Sequence, residues 1–467
     1  MAKLTFIGAT RQVTGSSYLL QTADSNILLE CGLYQGGSIS EQQNQKSFVF
    51  DINIIDAVVI SHTHLDHCGL LPKLVKEGYQ GPIYMTTATY DLIKVMLTDA
   101  AHIEMKDAEW ENRQRARAGK TLIEPLYTQE DVEHTLSLRH AIQYNDVTNI
   151  TPDIKLTYHE AGHILGSAIV ELKIQERKKN KTLVFSGDLG NDETVILKDP
   201  GALKHADILM LESTYGDRNH RSMSDTVEEF REALNEAADK GGNVLIPSFA
   251  LGRTQEILFW IGKFYREGTL KQTQVFLDSP MAIAASDIYL KHVNLFNKED
   301  AKDFRKVTNG NWEAWLPILK YTLTPEESMQ INKISGGAII IAGSGMCTGG
   351  RIRHHLKNNL WRNNSHIMMV GFQVAGTTGR ALVDGAKNIT LFRNEIAVNA
   401  KIHTLGGFSA HADQTQLLKW AGHFNKPLPE LYFVHGELDK MLELQRCFHD
   451  EYQWYANIPK PGQEITF

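Results

Sequence analysis

The sequence predicts an α/β protein in which short strands come first and a mainly parallel sheet follows. Three observations carry this. The apolar run Ala57-Val58-Val59-Ile60, rich in β-branched residues, ends in a dense polar cluster and is followed by Cys68-Gly69-Leu70-Leu71-Pro72, which reads as the start of a helix. Residues 201 to 400 alternate strand and helix, the order that builds a parallel sheet. The first 60 residues instead alternate short strands and turns, as an antiparallel meander does.

Taken in order, Leu4 to Ile7, Ser17 to Gln21 and Asn26 to Glu30 are expected strands, and the run from Ala57 completes the meander. From Tyr90 to Tyr144 the pattern is helical, and Thr128-Gln129-Glu130-Asp131 has the spacing of a capping box with Asp in place of Glu. Strands resume at Ile154 to Tyr158 and at Thr182 to Phe185. The α/β stretch then reads strand Ala206 to Leu211, helix Asp225 to Asp239, strand Val244 to Pro247, helix Thr254 to Arg266, and strands Val275 to Leu277, Ala338 to Ala342 and Ile367 to Val370. In the first of these helices Val227, Phe230, Leu234 and Ala237 share one face, and Gly241-Gly242 supplies the stop. Strand Ile402 to Leu405, a helix through Trp420 and strand Leu431 to Val434 close the chain.

With 467 residues, 42% hydrophobic and 22% charged, the chain has room for two or three domains. It shows no signal-peptide pattern and no apolar run of membrane-spanning length, so a cytoplasmic protein without membrane association is expected. The four cysteines are scattered, which points neither to a disulfide framework nor to a thiolate metal site. A net charge of −7 carries no global basic footprint, so any nucleic-acid surface must be local.

Chemistry concentrates in Ser61-His62-Thr63-His64-Leu65-Asp66-His67. Residues two apart face the same way in an extended segment, so His62 and His64 can converge, while Asp66 and His67 follow where the chain turns. Imidazole and carboxylate donors without thiolate suit zinc or another borderline divalent ion with positions left for water, and one such cluster can serve two adjacent ions. His163 stands among small residues in Glu160-Ala161-Gly162-His163, and Asp188 ends a buried strand, where an uncompensated carboxylate would be costly. A cation explains both. His102, His134 and His140 lack partners at ligand spacing and read as surface or packing residues.

The loop Gly343-Ser344-Gly345-Met346-Cys347-Thr348-Gly349-Gly350-Arg351 follows a strand and precedes a stretch containing Arg353, His354, His355 and Lys357. Its glycine spacing excludes a dinucleotide fingerprint. Two readings stay open: backbone N–H groups with Arg351 and Lys357 tracking phosphates, or a tight turn followed by a solvated basic face. Ser248, Arg253 and Ser279 follow other strands of the same sheet, where α/β proteins place ligands, and join Ser344, Arg351 and Lys357 as substrate-binding candidates.

The cluster from His62 to His67, with His163 and Asp188 at strand ends, resembles the metallo-β-lactamase superfamily over the first 200 residues or so. The next candidate ligand, His435 in Val434-His435-Gly436-Glu437, lies about 250 residues beyond Asp188. The intervening α/β segment with Glu212-Ser213-Thr214-Tyr215-Gly216, followed by Phe408-Ser409-Ala410-His411, resembles the β-CASP nucleases, which include the pre-mRNA 3′-end cleavage endonuclease subunit and its bacterial and archaeal relatives. The resemblance implies an αββα sandwich over residues 1–206, an inserted β-CASP domain with a mainly parallel sheet over 207–404, and a completing part of the sandwich over 405–467. It implies two Zn2+: one on His62, His64 and His163, one on Asp66, His67 and His435, with Asp188 bridging. Asp66, Glu212 and His411 would be catalytic, Glu212 orienting His411 by a hydrogen bond. Where the family usually has Asp-Cys-Gly, this chain has Glu30-Cys31-Gly32, one methylene longer.

The implied activity is a zinc-dependent ribonuclease acting on single-stranded RNA in processing or decay. Two ions activate water and stabilise an in-line phosphoryl transition state, His411 protonates the O3′ leaving group, and the products carry 5′-phosphate and 3′-hydroxyl. The competing expectations are a thioester or lactone hydrolase on the same metal core, which leaves the insertion of about 200 residues unexplained, and a DNA-acting nuclease. A metal-free scaffold is disfavoured by the complete ligand set. A homodimer is compatible with the sequence, as is endo- or exonucleolytic action.

Overall fold

A computed structural model describes residues 1–467 except 38–41, 177–179, 193, 298–300, 309 and 375. The chain divides into two compact units. The first comprises Met1–Asp192, Asp199–Asn219 and His411–Phe467, the second Glu193–Lys198 and His220–Ala410.

The first unit contains two seven-stranded sheets. One runs in the order Gln463–Thr466, Lys3–Phe6, Tyr18–Gln21, Asn26–Leu29, Ala57–Val59, Ile83–Thr86, Arg139–Ile142. The other runs Ala456–Asn457, Glu430–Val434, Ile208–Glu212, Asn180–Phe185, Ala168–Gln175, Ile154–Glu160, Thr148–Asn149. Side chains alternate across a strand, and here both faces are covered. Ile27 and Leu29 point into a core shared with Tyr158, Val170, Phe185 and Met210 of the opposite sheet, whereas Leu28 points outward against helical Leu74, Ile93 and Leu97. On the other side, Leu209, Leu211 and Phe433 pack under Leu417, Trp420, Leu444 and Phe448. The result is helix, sheet, sheet, helix. Burial on both faces is why these strands read as continuous apolar runs rather than alternating ones.

Three details differ from the sequence reading. The antiparallel meander ends at Asn26–Leu29, because Ala57–Val59 pairs with it in parallel, the intervening chain being long enough to cross over. The helical pattern after Tyr90 stops before Arg139–Ile142, which is a strand pairing in parallel with Ile83–Thr86. The third is the strand Ile208–Glu212, which lies between Asn180–Phe185 and Glu430–Val434 in the sandwich, so Glu212 belongs to the first unit rather than to the inserted segment drawn from residue 207. Strand character alone does not reveal which sheet a strand joins. The helix Thr87–Arg117 and the capping box of Thr128 with Asp131 form as expected.

The second unit is built on a six-stranded sheet in the order Leu319–Tyr321, Gln274–Asp278, Ala338–Ala342, Val244–Pro247, His366–Met369, Lys401–Thr404, with every pairing parallel. Its helix Met223–Asp239 buries Val227, Phe230, Leu234 and Ala237 and stops at Gly241, whose φ of +64° a side chain would disfavour. No helix among the described residues is long and apolar enough to cross a membrane.

Candidate metal centre

The polar cluster forms at the carboxy-terminal end of Ala57–Val59. The chain stays extended through His64 (φ −63°, ψ 144°) and then enters a helical turn at Leu65–Cys68, a few residues earlier than the sequence suggested, so Asp66 and His67 project from the turn. A second short helix, Leu71–Lys76, starts with Pro72 in its first turn. The Glu30-Cys31-Gly32 segment packs against this turn so closely that a Cβ on Gly32 would lie 1.7 Å from the carbonyl oxygen of Asp66. His163, Asp188 and His435 each follow a strand of the other sheet. His435 has φ +49°, a left-handed position uncommon for a residue with a side chain and frequent at functional sites.

These residues converge. His64 Nδ1 lies 3.2 Å from both His62 Nε2 and His163 Nε2, and one donor atom of each of His62, His64, His163 and Asp188 falls within 4.8 Å of the others. A second group joins Asp66, His67 and His435: His435 Nε2 is 3.2 Å from Asp66 Oδ2 and 3.3 Å from His67 Nε2. Asp188 stands between the groups. Its Oδ2 is 3.5, 3.7 and 3.4 Å from His62, His163 and His67 Nε2, and its Oδ1 is 3.5 Å from His435 Nδ1.

The donor set fits divalent cations. Burial holds His62 well below its usual range and lowers His64 to about 4, leaving neutral imidazoles with lone pairs to donate. Burial pushes the Asp188 carboxyl up, but the neighbouring His435 and His67 outweigh it and hold the group well below the usual carboxylate range. Asp188 Oδ1 is buried with no hydrogen-bond partner, and the nearby carboxylates of Glu30 and Glu212 are fully buried. So much negative charge away from water is costly unless a cation offsets it. Together, the histidines and carboxylates form candidate clusters consistent with a divalent-metal site.

Surrounding groups orient these donors. Glu30 accepts from Ser61 N at 2.6 Å, from Ser61 Oγ at 2.8 Å and from His67 Nδ1, and Ser61 Oγ lies 3.0 Å from His62 Nδ1. Burial raises the Glu30 carboxyl, against the lowering effect of His67 and Ser61. The extra methylene relative to Asp therefore does not prevent contact: one carboxylate steadies a histidine of each group. Thr214 Oγ1 lies 3.1 Å from His435 Nδ1. Neither Ser61 nor Thr214 was expected as a support, though Ser61 directly precedes His62 and Thr214 lies two residues after Glu212.

At the rim, His411 Nδ1 is 3.3 Å from Glu212 Oε1 and 3.9 Å from Asp188 Oδ2. Glu212 is held in turn by Leu189 N at 2.7 Å and Thr214 N at 3.3 Å. Burial alone would lower the His411 pKa, but Glu212, then Asp188 and Asp66, raise it to about 9. A bridge between Gly190 and His411 fixes the backbone there, where a Cβ on Gly190 would meet the Gly162 carbonyl at 2.0 Å. His102, His134 and His140 are exposed and belong to none of these groups.

The substrate-binding candidates divide. All lie in the second unit. A Cβ on Gly343 would be 3.8 Å from the Ser248 carbonyl and 3.9 Å from Ser279 Oγ, so the carboxy-terminal ends of three neighbouring strands bring Ser248, Ser279 and the loop of Ser344 together. Ser344 Oγ accepts from Gly349 N within that loop at 3.1 Å, and Ser279 caps the helix Pro280–Lys291.

The arginines point elsewhere. Arg351 donates to Asp278 Oδ1 at 2.7 Å and to the carbonyls of Thr322 and Leu323 at 2.9 and 2.8 Å. One helical turn on, His355 reaches Asp278 Oδ2 at 2.6 Å, while Arg353 and His354 lie against the ring of Phe392. Arg253 is buried beside Glu256. The basic track expected from Arg351 therefore gives way to an internal anchor: helical periodicity turns residues 351 and 355 inward, leaving Lys357, half-buried, as the remaining candidate cation of that track.

Comparison with known proteins adds the following. Residues 19–205 match the metallo-beta-lactamase superfamily domain, 254–382 the Beta-Casp domain and 395–459 the Zn-dependent metallo-hydrolase RNA specificity domain. The chain is 39% identical over 438 residues to Ribonuclease TTHA0252 of Thermus thermophilus, covering 94% of each chain. It is 33% identical over 452 residues to Transcription termination factor FttA of Methanocaldococcus jannaschii, covering 94% of this chain and 68% of that protein. A crystal structure of a protein of unknown function from Enterococcus faecalis V583 shares the fold, with a TM-score of 0.56 at 13% identity over 99% of both chains.

Proposed function

The chain belongs to the metallo-β-lactamase/β-CASP family, and from that premise we propose that it is a two-zinc ribonuclease that hydrolyses phosphodiester bonds of single-stranded RNA. The observation that carries this reading is the placement of Asp188 Oδ2 within 3.4 to 3.7 Å of histidines from both metal-binding groups, with His411 at 3.9 Å. Similarity to a ribonuclease over nearly the whole chain supports the substrate class.

His62, His64 and His163 would hold one ion, Asp66, His67 and His435 the other, and Asp188 both. When bound, such a pair of ions supplies Lewis acidity that activates water and offsets charge on an in-line phosphoryl transition state. The protein's own part is positioning and proton delivery. Glu30 and Thr214 fix the tautomers of His67 and His435 by hydrogen bonds to Nδ1, which would leave each Nε2 free to hold an ion. Glu212 charges and orients His411, which gives its proton to the departing O3′, a poor leaving group otherwise. The products are a 5′-phosphate and a 3′-hydroxyl. Phosphate contacts fall to Ser248, Ser279, Ser344 and Lys357.

The test is digestion of linear and circular single-stranded RNA beside matched DNA and a panel of thioesters and lactones, with end-group analysis. RNA cleavage leaving 5′-phosphates is expected, and cutting of the circle identifies endonucleolytic action. Hydrolysis confined to the thioester or lactone panel, or to DNA, would overturn the assignment.

A further inference from the structure

A second set of metal donors occurs in the second unit, apart from every residue assigned above. His366 and His403 come from neighbouring parallel strands whose register pairs His366 with Lys401 and Met368 with His403. Positions two apart share a face, so both imidazoles rise on the same side of the sheet. They stack at 5.0 Å with 19° between ring planes, and His366 Nδ1 is 2.9 Å from His403 Nε2. The last turns of Met223–Asp239 bring Glu236 to them, and one donor atom of each residue lies within 4.8 Å of the others.

We propose that Glu236, His366 and His403 form a site for a divalent transition-metal ion, zinc or its analogues, that ties the edge strand Lys401–Thr404 to the helix Met223–Asp239. His366 is fully buried, and its Nδ1, which faces His403 Nε2, is the atom that would take a shared ion in place of the hydrogen bond between the two rings. Burial lowers both imidazoles below their usual range, His403 to about 4, so at neutral pH each ring is uncharged and keeps one lone pair to donate. Two imidazoles and one carboxylate select a borderline ion over calcium or magnesium, which prefer oxygen, and leave a fourth position for water.

Two features oppose metal binding, and both are small. Lys240 and Lys401 lie on Glu236 at 2.8 and 2.6 Å, but these are half-exposed pairs of the kind that contribute little and yield to an ion. Ring nitrogens that share a tetrahedral zinc with bonds of 2.0–2.1 Å sit about 3.3 Å apart, as the nitrogens of the first centre do at 3.2 to 3.3 Å. Opening 2.9 Å to that value takes a small rotation of His403, which is half-buried on the edge strand.

The probe is cobalt(II), titrated into the metal-stripped full chain and read by absorption and metal analysis. His403→Ala is expected to bind one equivalent less than wild type, to lose part of the metal-dependent rise in melting temperature, and to hydrolyse RNA normally once loaded with zinc. Glu236→Gln should weaken the same equivalent. His403→Cys should restore it and add a thiolate-to-cobalt charge-transfer band absent from wild type. Asp188→Asn, which disturbs the first centre, should leave this equivalent in place, so the two assignments fail separately. Wild-type cobalt content in both His403→Ala and Glu236→Gln would overturn the second site, and should His403→Ala not fold, Glu236→Gln at its half-exposed position decides the matter.

Discussion

The carboxylate of Glu30 accepts a hydrogen bond from Nδ1 of His67 with both side chains fully buried, and through Ser61 the same carboxylate reaches His62. One acidic group therefore sets the ring orientation of a histidine in each candidate metal-binding group. Glu30→Ala is expected to weaken metal binding by about 10–100-fold, the usual effect of losing such a partner, with Glu30→Asp intermediate because it lacks the reach. Competition with a chromophoric chelator measures this, and an unchanged affinity would remove Glu30 from the site.

Asp188 faces both groups, so Asp188→Asn should abolish hydrolysis and disturb both ions, whereas His64→Ala should abolish hydrolysis with the larger loss confined to one. Metal analysis with turnover measurement checks this. Wild-type turnover in either variant would mean that the core is misassigned.

The His411 to Glu212 contact separates a nuclease mechanism from a histidine that merely borders a metal site. His411→Ala should keep its zinc yet lower kcat by about 10²–10⁴, the range for general acid catalysis, and Glu212→Gln should lose less. A substrate with sulfur at the bridging 3′ position has a leaving group that needs little protonation, so it should largely rescue His411→Ala but not His64→Ala. Absence of rescue, or loss of zinc, would make His411 structural.

Asp278 gathers Arg351, His355, Thr322 and Ser328 while fully buried. Removing one partner of a buried ion pair costs about 3–5 kcal/mol, so Arg351→Ala should lower the unfolding midpoint while changing KM for RNA little. Burial pushes the Asp278 carboxyl up, but hydrogen bonds from His355, Ser328, Thr322 and Arg351 hold it well below the usual range. A native pKa below the unfolded value of about 3.9 gives stability that is present above that pH and lost as pH falls through the depressed native value. Urea midpoints from pH 7 to pH 3 should therefore fall more steeply for wild type than for Asp278→Asn, and parallel curves would contradict the assignment.

Lys357 is left to carry the phosphate contact expected of that stretch. Lys357→Ala should raise KM for RNA and reduce the salt slope by about 0.7, the value per contact on single strands. An unchanged slope would return it to the solvated surface.

Much of this protein was determined by sequence alone. The candidate ligands announce themselves because their polar side chains directly follow apolar strands, so His62, His64, Asp66, His67 and His163 stand out against buried runs, as does Asp188. The parallel sheet was legible for a similar local reason, since alternating strands and amphipathic helices repeat at fixed lengths. Tertiary structure alone decided what depends on partners distant in the chain. The strand carrying Glu212 looks like any other apolar strand, and only its parallel pairing with Glu430–Val434 places it in the sandwich. Arg351 reads as a phosphate contact until Asp278, 73 residues earlier, claims its guanidinium. His366 and His403 show no ligand spacing, because strand register and a covering helix, not sequence neighbourhood, bring them to Glu236. Local patterns fix where donors can occur, but which charge neutralises which is settled by packing, since a buried charge binds to whatever partner the fold puts within reach.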